Sequence, residues 1–159
     1  MSPLRAAGGG GQFVARIEAD ARARPPRVRL SLEGTDLAVG PLMTQLTGQD
    51  LLGGTLVLDL AVTGRGARLP ALFASLDGRS EAVLTEGYIG SAYESLMLGN
   101  LLDMVIRGRG RTELTCLAAA FAIEDGRATA ETLILDTPTL RATGQGTIDL
   151  GSERVDLTV

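Results

Sequence analysis

Apolar and polar residues alternate along much of this chain, and this alternation is the feature that most constrains its fold. The pattern is cleanest at residues 27–33, where Val28, Leu30 and Leu32 alternate with arginine, serine and glutamate. A similar alternation begins at residue 13 and continues to residue 20. Because successive side chains of a strand point to opposite faces of a sheet, the pattern predicts strands with one apolar face and one polar face.

Glycine-containing turns separate further stretches that the sequence predicts to be extended. These stretches cover residues 55–62, 80–89, 112–124, 127–136, 140–150 and 154–159. Asp125-Gly126 predicts a hairpin turn because both residue types tolerate a positive φ. Gly144 and Gly146 predict a bulge or bend, and residues 8–11 are expected to be a turn or disordered. The chain ends while the alternation of the last stretch is still running, which favours a truncated C-terminal end.

Three segments are predicted to be short helices, at residues 41–47, 69–76 and 96–106. In the second and third, large apolar residues recur at the i, i+3, i+4, i+7 spacing of one helical face. The third has few basic residues on its polar face, so packing on the sheet is preferred to an interfacial position in a membrane. Strands and helices do not alternate along the chain, so a parallel sheet is not expected. The predicted fold class is α+β, mainly β: a curved antiparallel sheet of β-groove type with two or three short helices packed on one side.

Length and composition fit a single domain with an aliphatic core. A chain of 159 residues can bury one moderate core. Hydrophobic residues make up 45% of it and aromatic residues only 3%, so leucine, valine, isoleucine and alanine must fill that core. Two regions are predicted, and they meet at Pro25-Pro26. The first, residues 1–26, holds a glycine-rich start, the first strand and a Pro/Arg-rich connection. The second, residues 27–159, is the main region.

The charge pattern argues against nucleic acid as a partner. The net charge is −4, whereas a nucleic-acid-binding protein needs a basic surface to displace counterions. One local group of arginines departs from this balance, at positions 22, 24, 27 and 29. A solvated loop and strand face explains this group, and contact with anionic lipid headgroups is the alternative.

Residues suited to catalysis or metal binding are scarce. The chain has no histidine and no lysine, and its one cysteine, Cys116, lies in an apolar run. Histidine-activated nucleophiles, lysine Schiff bases and ordinary zinc sites are therefore excluded, and neither a metal nor a cofactor is expected. Carboxylate pairs such as Glu124-Asp125, or Glu131 with Asp136, could serve a glycosidase, but no aromatic platform accompanies them. The sequence favours a protein that is not an enzyme.

Two predicted strands, at residues 55–62 and 112–123, carry aliphatic residues on both faces. Such a strand in an antiparallel sheet must be covered twice, by helices on one face and by a second sheet, a partner or a lipid on the other. An ordinary core between sheet and helices is the simpler explanation at any one position. The candidate residues for a lipid-facing surface are Val28, Leu30, Leu32, Leu56, Leu58, Leu60 and Val62.

Several pieces of the sequence, taken in order, resemble one protein family. One piece runs from Asp50 to Leu60 and continues through Gly64-Arg65-Gly66 to residues 72–79. Others are Gly87-Tyr88-Ile89-Gly90, residues 121–126, residues 135–137 and the stretch 144–150. From Val28 to the last residue, about four fifths of the chain, the order and spacing of these pieces resemble the C-terminal region of AsmA-like proteins of Gram-negative bacteria.

The resemblance implies a fold and a role. It implies a protein on the periplasmic side of the inner membrane, anchored by a helix outside this chain, since no stretch here approaches the roughly 18 apolar residues of a membrane span. It implies a likeness to bridge-like lipid transfer proteins, whose curled sheet presents an apolar groove. The implied role is phospholipid transport toward the outer membrane and outer-membrane assembly, with phospholipid acyl chains and envelope proteins as partners. No catalytic residue carries over. The alternative is a protein-interaction module that aids outer-membrane protein assembly without binding lipid.

Overall fold

The computed structural model describes residues 4–8, 11–49, 52–90 and 112–158 of the chain, and these form mostly strands. The helices among them are α1 (Val39–Thr47) and α2 (Leu69–Phe73). The strands among them are β1 (Leu4–Gly8), β2 (Gly11–Asp20), β3 (Arg27–Ala38), β4 (Leu52–Arg65), β5 (Asp77–Ile89), β6 (Thr112–Glu124), β7 (Arg127–Asp136), β8 (Arg141–Thr143), β9 (Gln145–Asp149) and β10 (Arg154–Thr158).

All ten of these strands lie in one open sheet. The sheet follows chain order from β1 to β7, then β9 and β10, while the short β8 also pairs with β7. Each pairing is antiparallel. The prediction of a mainly β fold built on an antiparallel sheet is confirmed. Both described helices connect neighbouring strands, α1 between β3 and β4 and α2 between β4 and β5.

The hairpin between β6 and β7 has the predicted turn. Asp125 and Gly126 both have positive φ, at 45° and 73°. The Asp77 carboxylate accepts a hydrogen bond from the Asp125 N–H at 2.9 Å, and the Leu76 carbonyl accepts one from the Gly126 N–H at 2.9 Å. The residues at and just before the start of β5, the strand next to β6, therefore hold the turn in place.

Helix α1 confirms the prediction at residues 41–47 and begins two residues earlier, at Val39. It ends at Gly48, whose left-handed backbone (φ 71°) lets its N–H donate to the Thr44 carbonyl at 2.9 Å. The helix predicted at residues 96–106 lies outside the described residues.

The prediction of a helix through residue 76 is wrong at its C-terminal end. Helix α2 stops at Phe73 because the chain is tied back to β4 there. The Ser75 hydroxyl accepts a hydrogen bond from the Arg65 N–H at 2.7 Å and donates one to the Arg65 carbonyl at 2.6 Å. Leu69 and Phe73 remain exposed as a result, and only the leucines at 72 and 76 face the sheet.

Two glycine-rich stretches behave as the sequence predicted. Gly8 ends β1, Gly11 begins β2 and the two residues are paired, so the chain reverses direction within the run at residues 8–11, as a turn requires. The stretch at residues 140–150 is broken into β8 and β9 at Gly144, whose N–H donates to the Leu133 carbonyl at 2.8 Å.

The buried residues form two separate clusters, one near each end of the strands. The first lies under α1 and contains Val39, Leu84, Ile89 and Leu114. The second lies at the α2 end of the sheet and contains Val62, Ile123 and Ala128, with Leu76 and Leu150 packed against it. A stretch of sheet lies between the two clusters.

Candidate functional site

One face of the sheet is apolar across most of its width. Directly opposite residues in antiparallel strands project to the same face, so the pairing assigns each strand residue to a face. Four rows of paired residues cross the sheet on this apolar face, and Ser80 is their one polar side chain. The first row is Leu37, Leu56, Leu84, Leu117 and Leu135; the second is Phe13, Gly34, Leu58, Ala82, Ala119 and Leu133; the third is Ala15, Leu32, Leu60, Ser80, Phe121 and Ala130; the fourth is Ile17, Leu30, Val62, Gly78, Ile123, Ala128 and Ile148.

The seven residues proposed from the sequence as lipid-facing all lie on the apolar face. Val28, opposite Gly64, lies just beyond the fourth row, and the other six belong to the rows. Their surroundings differ. Leu56 packs against the cluster under α1, while Leu30, Leu60 and Val62 belong to the α2-end cluster. Val28, Leu32 and Leu58 are only partly buried and belong to neither cluster.

The opposite face, which we call the polar face, carries cross-strand ion pairs. Two of them join β2 to β3 and two join β4 to β5: Arg16–Glu33 (2.8 Å), Arg29–Glu18 (3.3 Å), Arg65–Asp77 (3.9 Å) and Arg79–Asp59 (4.0 Å). A fifth joins Arg141 to Asp136 at 2.6 Å, and that hydrogen bond raises the pKa of the guanidinium. Exposed pairs of this kind each contribute little to stability, but they indicate that this face is in contact with water.

The two ends of the apolar face are covered by the helical connections. At one end Val39 and Met43 of α1 pack on the first row. At the other end a Cβ placed on Gly64 would lie 2.8 Å from the Leu72 side chain and 3.0 Å from that of Leu76, which puts the α2 segment on this same face. Ala74 then reaches the turn glycines that follow β6 and β9.

The second and third rows lie between these covers, and we call them the central band. Adjacent rows are two residues apart along a strand, or about 7 Å. Leu58 is flanked on its two sides by Gly34 and Ala82, and Ala82 is followed by Ala119. The Leu37 side chain fills the space at Gly34, where an added Cβ would lie 2.6 Å from it, so only the alanines on the β5 side of Leu58 are small and uncovered by that leucine. Its strand residues from β3 onward are only partly buried apart from Gly34.

The apolar face also reaches toward both edges of the described sheet. Ile17 on β2 is 55% exposed, and Val155 on β10, opposite Ile148, is 64% exposed. Large apolar side chains are therefore open to the surroundings at both ends of the fourth row.

The carboxylates and the cysteine considered in the sequence do not form a reaction centre. Asp125 sits in the β6–β7 turn, Asp136 is paired with Arg141, and Glu131 lies at a register shift in β7. Cys116 is partly buried on the polar face, opposite Asp136. Within the described residues, no group of three or more Cys, Asp or Glu side chains is placed to hold a metal ion. None of the helices in that part of the chain is long and apolar enough to cross a membrane.

Sequence reasoning missed the half of the central band contributed by β5, β6 and β7. Ala82, Ala119, Phe121 and Leu133 were not among the candidates. In β6, alanines at 118–120 occupy both faces, so no alternation distinguishes them. The hairpin at residues 125–126 fixes the pairing of β6 with β7 only as far as Phe121 and Ala130. The bulge at Glu131 then shifts the register by one residue and places Ala119 opposite Leu133, which the turn residues do not reveal.

Comparison with known proteins adds one finding. The model of the AsmA family matches residues 1–133. The match begins at the first residue, so it takes in β1 and β2, which the resemblance noted in the sequence had left out. No curated protein and no solved structure is matched by this chain.

Proposed function

The chain belongs to the AsmA family, and on that premise we propose that its apolar face binds phospholipid acyl chains as a segment of a protein that moves phospholipid toward the outer membrane. Family membership is consistent with a role in the cell envelope. We place the protein on the periplasmic side of the inner membrane, held by an anchor outside this chain. The proposed role is binding and conduction of lipid, without catalysis, and it serves outer-membrane assembly.

The observation that carries the proposal is the central band. A sheet that leaves such a band exposed to water forgoes the stabilisation that burial would give, about 25 cal/mol per Å² of apolar surface. Among the described residues, the two helical connections cover only the ends of the apolar face. An acyl chain fits an apolar surface that is bounded by covered clusters at both ends of the strands.

The dimensions of the band suit an acyl chain lying across the strands. The second row crosses six strands from Phe13 on β2 to Leu133 on β7, which is about 24 Å at a strand spacing of about 4.8 Å. An acyl chain occupies about half of a bilayer's hydrocarbon thickness of about 30 Å. In the proposed arrangement the sheet curves around the chain to form a groove, and each buried methylene contributes about 0.8 kcal/mol.

The proposal is tested by a pair of neighbouring substitutions on β4. Leu58 is in the central band, and Val57 points to the polar face, where it is 47% exposed. We expect Leu58→Asp to reduce the phospholipid that co-purifies with the protein severalfold, because a carboxylate in the band opposes an acyl chain. Val57→Asp adds the same charge one residue away and should leave the bound lipid unchanged.

Mass spectrometry of lipid extracted from equal amounts of folded wild-type and variant protein measures the effect. Circular dichroism establishes that each variant is folded. Bound lipid that is the same in wild type and in a folded Leu58→Asp variant would refute the proposal, as would an equal loss in both variants.

A second candidate function is a protein-interaction module. It is favoured by the short edge strands β1 and β10 of an open sheet, whose outer backbone groups can accept a partner's strand. It predicts that partner proteins attach along these edges and that no lipid occupies the central band. In that case Leu58→Asp would not change the amount of phospholipid that co-purifies with the protein.

A further inference from the structure

Six arginines gather at one corner of the sheet, at positions 22, 24, 27, 29, 65 and 68, and we call this group the arginine corner. The corner is formed where the β2–β3 connection meets the segment between β4 and α2. The Gly66 N–H donates to the Pro26 carbonyl at 2.9 Å, so the two segments are in contact. Arg27 lies directly opposite Arg65 on the neighbouring strand.

The positive charge of the corner is only partly balanced by nearby carboxylates. Arg29 pairs with Glu18 at 3.3 Å and Arg65 with Asp77 at 3.9 Å. Asp20 lies opposite Arg27 and accepts a hydrogen bond from the Arg22 backbone N–H at 2.9 Å. In the part of the chain that the structure describes, the side-chain nitrogens of the other four corner arginines have no carboxylate oxygen within 4.0 Å. Like charges directly opposite in a sheet are destabilising, which applies to Arg27 and Arg65. This positive corner stands out on a chain whose net charge is −4, so an anion would relieve it.

The corner adjoins the apolar face. Arg27, Arg29 and Arg65 point to the polar face, whereas Val28 points to the apolar face. The other three corner arginines, at positions 22, 24 and 68, lie on the connecting segments at the end of the sheet, where the two faces meet. A molecule with its apolar part on this face can therefore have its polar end at the arginines. The required ligand has a long apolar portion and an anionic end.

We infer that the arginine corner binds the phosphate of a phospholipid whose acyl chains lie on the apolar face. The inference rests on the proposed function and adds the position and the charge of the headgroup. Guanidinium groups match a phosphate because their planar N–H groups bind two oxygens at once. Arg24 and Arg68 are exposed on the two joined segments and carry no ion pair within the described residues, so they are the best placed to test it.

The experiment compares two probes that differ only in the headgroup. Phosphatidylglycerol and diacylglycerol with the same acyl chains, each fluorescently labelled on one chain, are titrated with the wild-type chain. We expect phosphatidylglycerol to bind about tenfold more tightly, because each arginine near an anionic headgroup contributes about 1 kcal/mol. The double variant Arg24→Gln/Arg68→Gln should lose this preference while its affinity for diacylglycerol stays the same.

The control is Arg127→Gln/Arg154→Gln, which removes the same charge at the same end of the sheet. Both of these arginines lie opposite Asp149 on β9, and the charge of Arg127 helps to lower the pKa of that carboxyl. The control should keep the preference for phosphatidylglycerol. A second corner variant, Arg22→Gln/Arg27→Gln, replaces the first if circular dichroism shows that the first is unfolded.

The outcomes separate the inference from the proposed function. Equal affinity of the wild type for the two lipids, retention of the preference by the corner variant, or its loss in the control would each overturn the inference alone. Failure of the wild type to bind either lipid would overturn the proposed function and the inference with it. Calorimetric titration with inorganic phosphate should give no saturable binding; saturable binding that the corner variant loses would instead assign a site for free phosphate.

Discussion

Gly126 and Gly48 have nearly the same left-handed backbone but very different surroundings. Their φ angles are 73° and 71°. A Cβ on Gly126 would lie 2.6 Å from the Phe73 carbonyl oxygen and 2.7 Å from Ala74, whereas nothing lies within 4 Å of one on Gly48. Glycine at 126 therefore serves both the hairpin turn and the close approach of the α2 segment.

We expect Gly126→Ala to destabilise the protein more than Gly48→Ala does. Both variants incur about 1 kcal/mol for alanine in a left-handed conformation. Gly126→Ala adds an overpacking cost of about 1–3 kcal/mol, because backbone atoms of the α2 segment must move. Urea unfolding of the two variants measures the difference. Equal losses of unfolding free energy would show that α2 does not pack closely on the β6–β7 turn.

Asp149 links acid stability to the turn between β9 and β10. Its Oδ1 accepts a hydrogen bond from the Ser152 N–H at 2.8 Å, and this bond lowers the pKa of the carboxyl below its ordinary value of 3.8. A carboxyl with a lowered folded-state pKa stabilises the fold fully above its unfolded pKa. That contribution is lost as the pH falls through the lower folded-state value.

Asp149→Asn keeps an acceptor oxygen for Ser152 but removes the charge, so it isolates this effect. We expect the wild type to have a higher Tm than the variant at pH 7. The difference should shrink as the pH falls from about 4 toward the lowered pKa. Thermal unfolding followed by circular dichroism across this range checks it. A Tm difference that does not change with pH would rule out the link.

Strand β5 shows how one element divides its residues between two surfaces. Leu84 is 2% exposed in the cluster under α1, and the adjacent Val83 is 39% exposed on the polar face. Leu84→Ala should lower the free energy of unfolding by about 3 kcal/mol, through lost burial and a cavity. Val83→Ala should cost less than about 1 kcal/mol. Similar costs for the two in denaturant unfolding would mean that the assignment of faces is incorrect.

The elements were predictable where the side-chain pattern alone decides them. The hairpin and the bounds of β6 and β7 followed from turn residues. The end of α2 did not, because the Ser75 hydroxyl bonds to Arg65 across a tertiary contact that no periodicity reveals. β1 was missed because Leu4–Gly8 is short and made mostly of small residues, and its pairing with β2 defines it.

The candidate site was predictable only in part for a related reason. Alternation in β3 and β4 identified seven residues that do share one face. The rest of the central band depends on which strands become neighbours, and alanine-rich β6 carries no alternation to reveal its faces. Register, a property of the whole sheet, completes the site.

At the scale of the whole molecule, this is an amphipathic sheet with its two buried clusters at opposite ends. Ion pairs lie on the polar face, and within the described ranges the helical connections cover only the ends of the apolar face. Apolar side chains continue toward both edges, at Ile17 and Val155. We propose that an acyl chain in the central band covers the rest of the apolar face.

The most direct test of that claim is crosslinking in cells from single positions on β4. A photoreactive diazirine amino acid replaces Leu58 in one protein and Val57 in another, and adducts formed on irradiation are identified by mass spectrometry. We predict phospholipid adducts from position 58 and few from position 57, since the two side chains point to opposite faces. Protein adducts without lipid at position 58, or lipid adducts at equal levels from both positions, would contradict the claim.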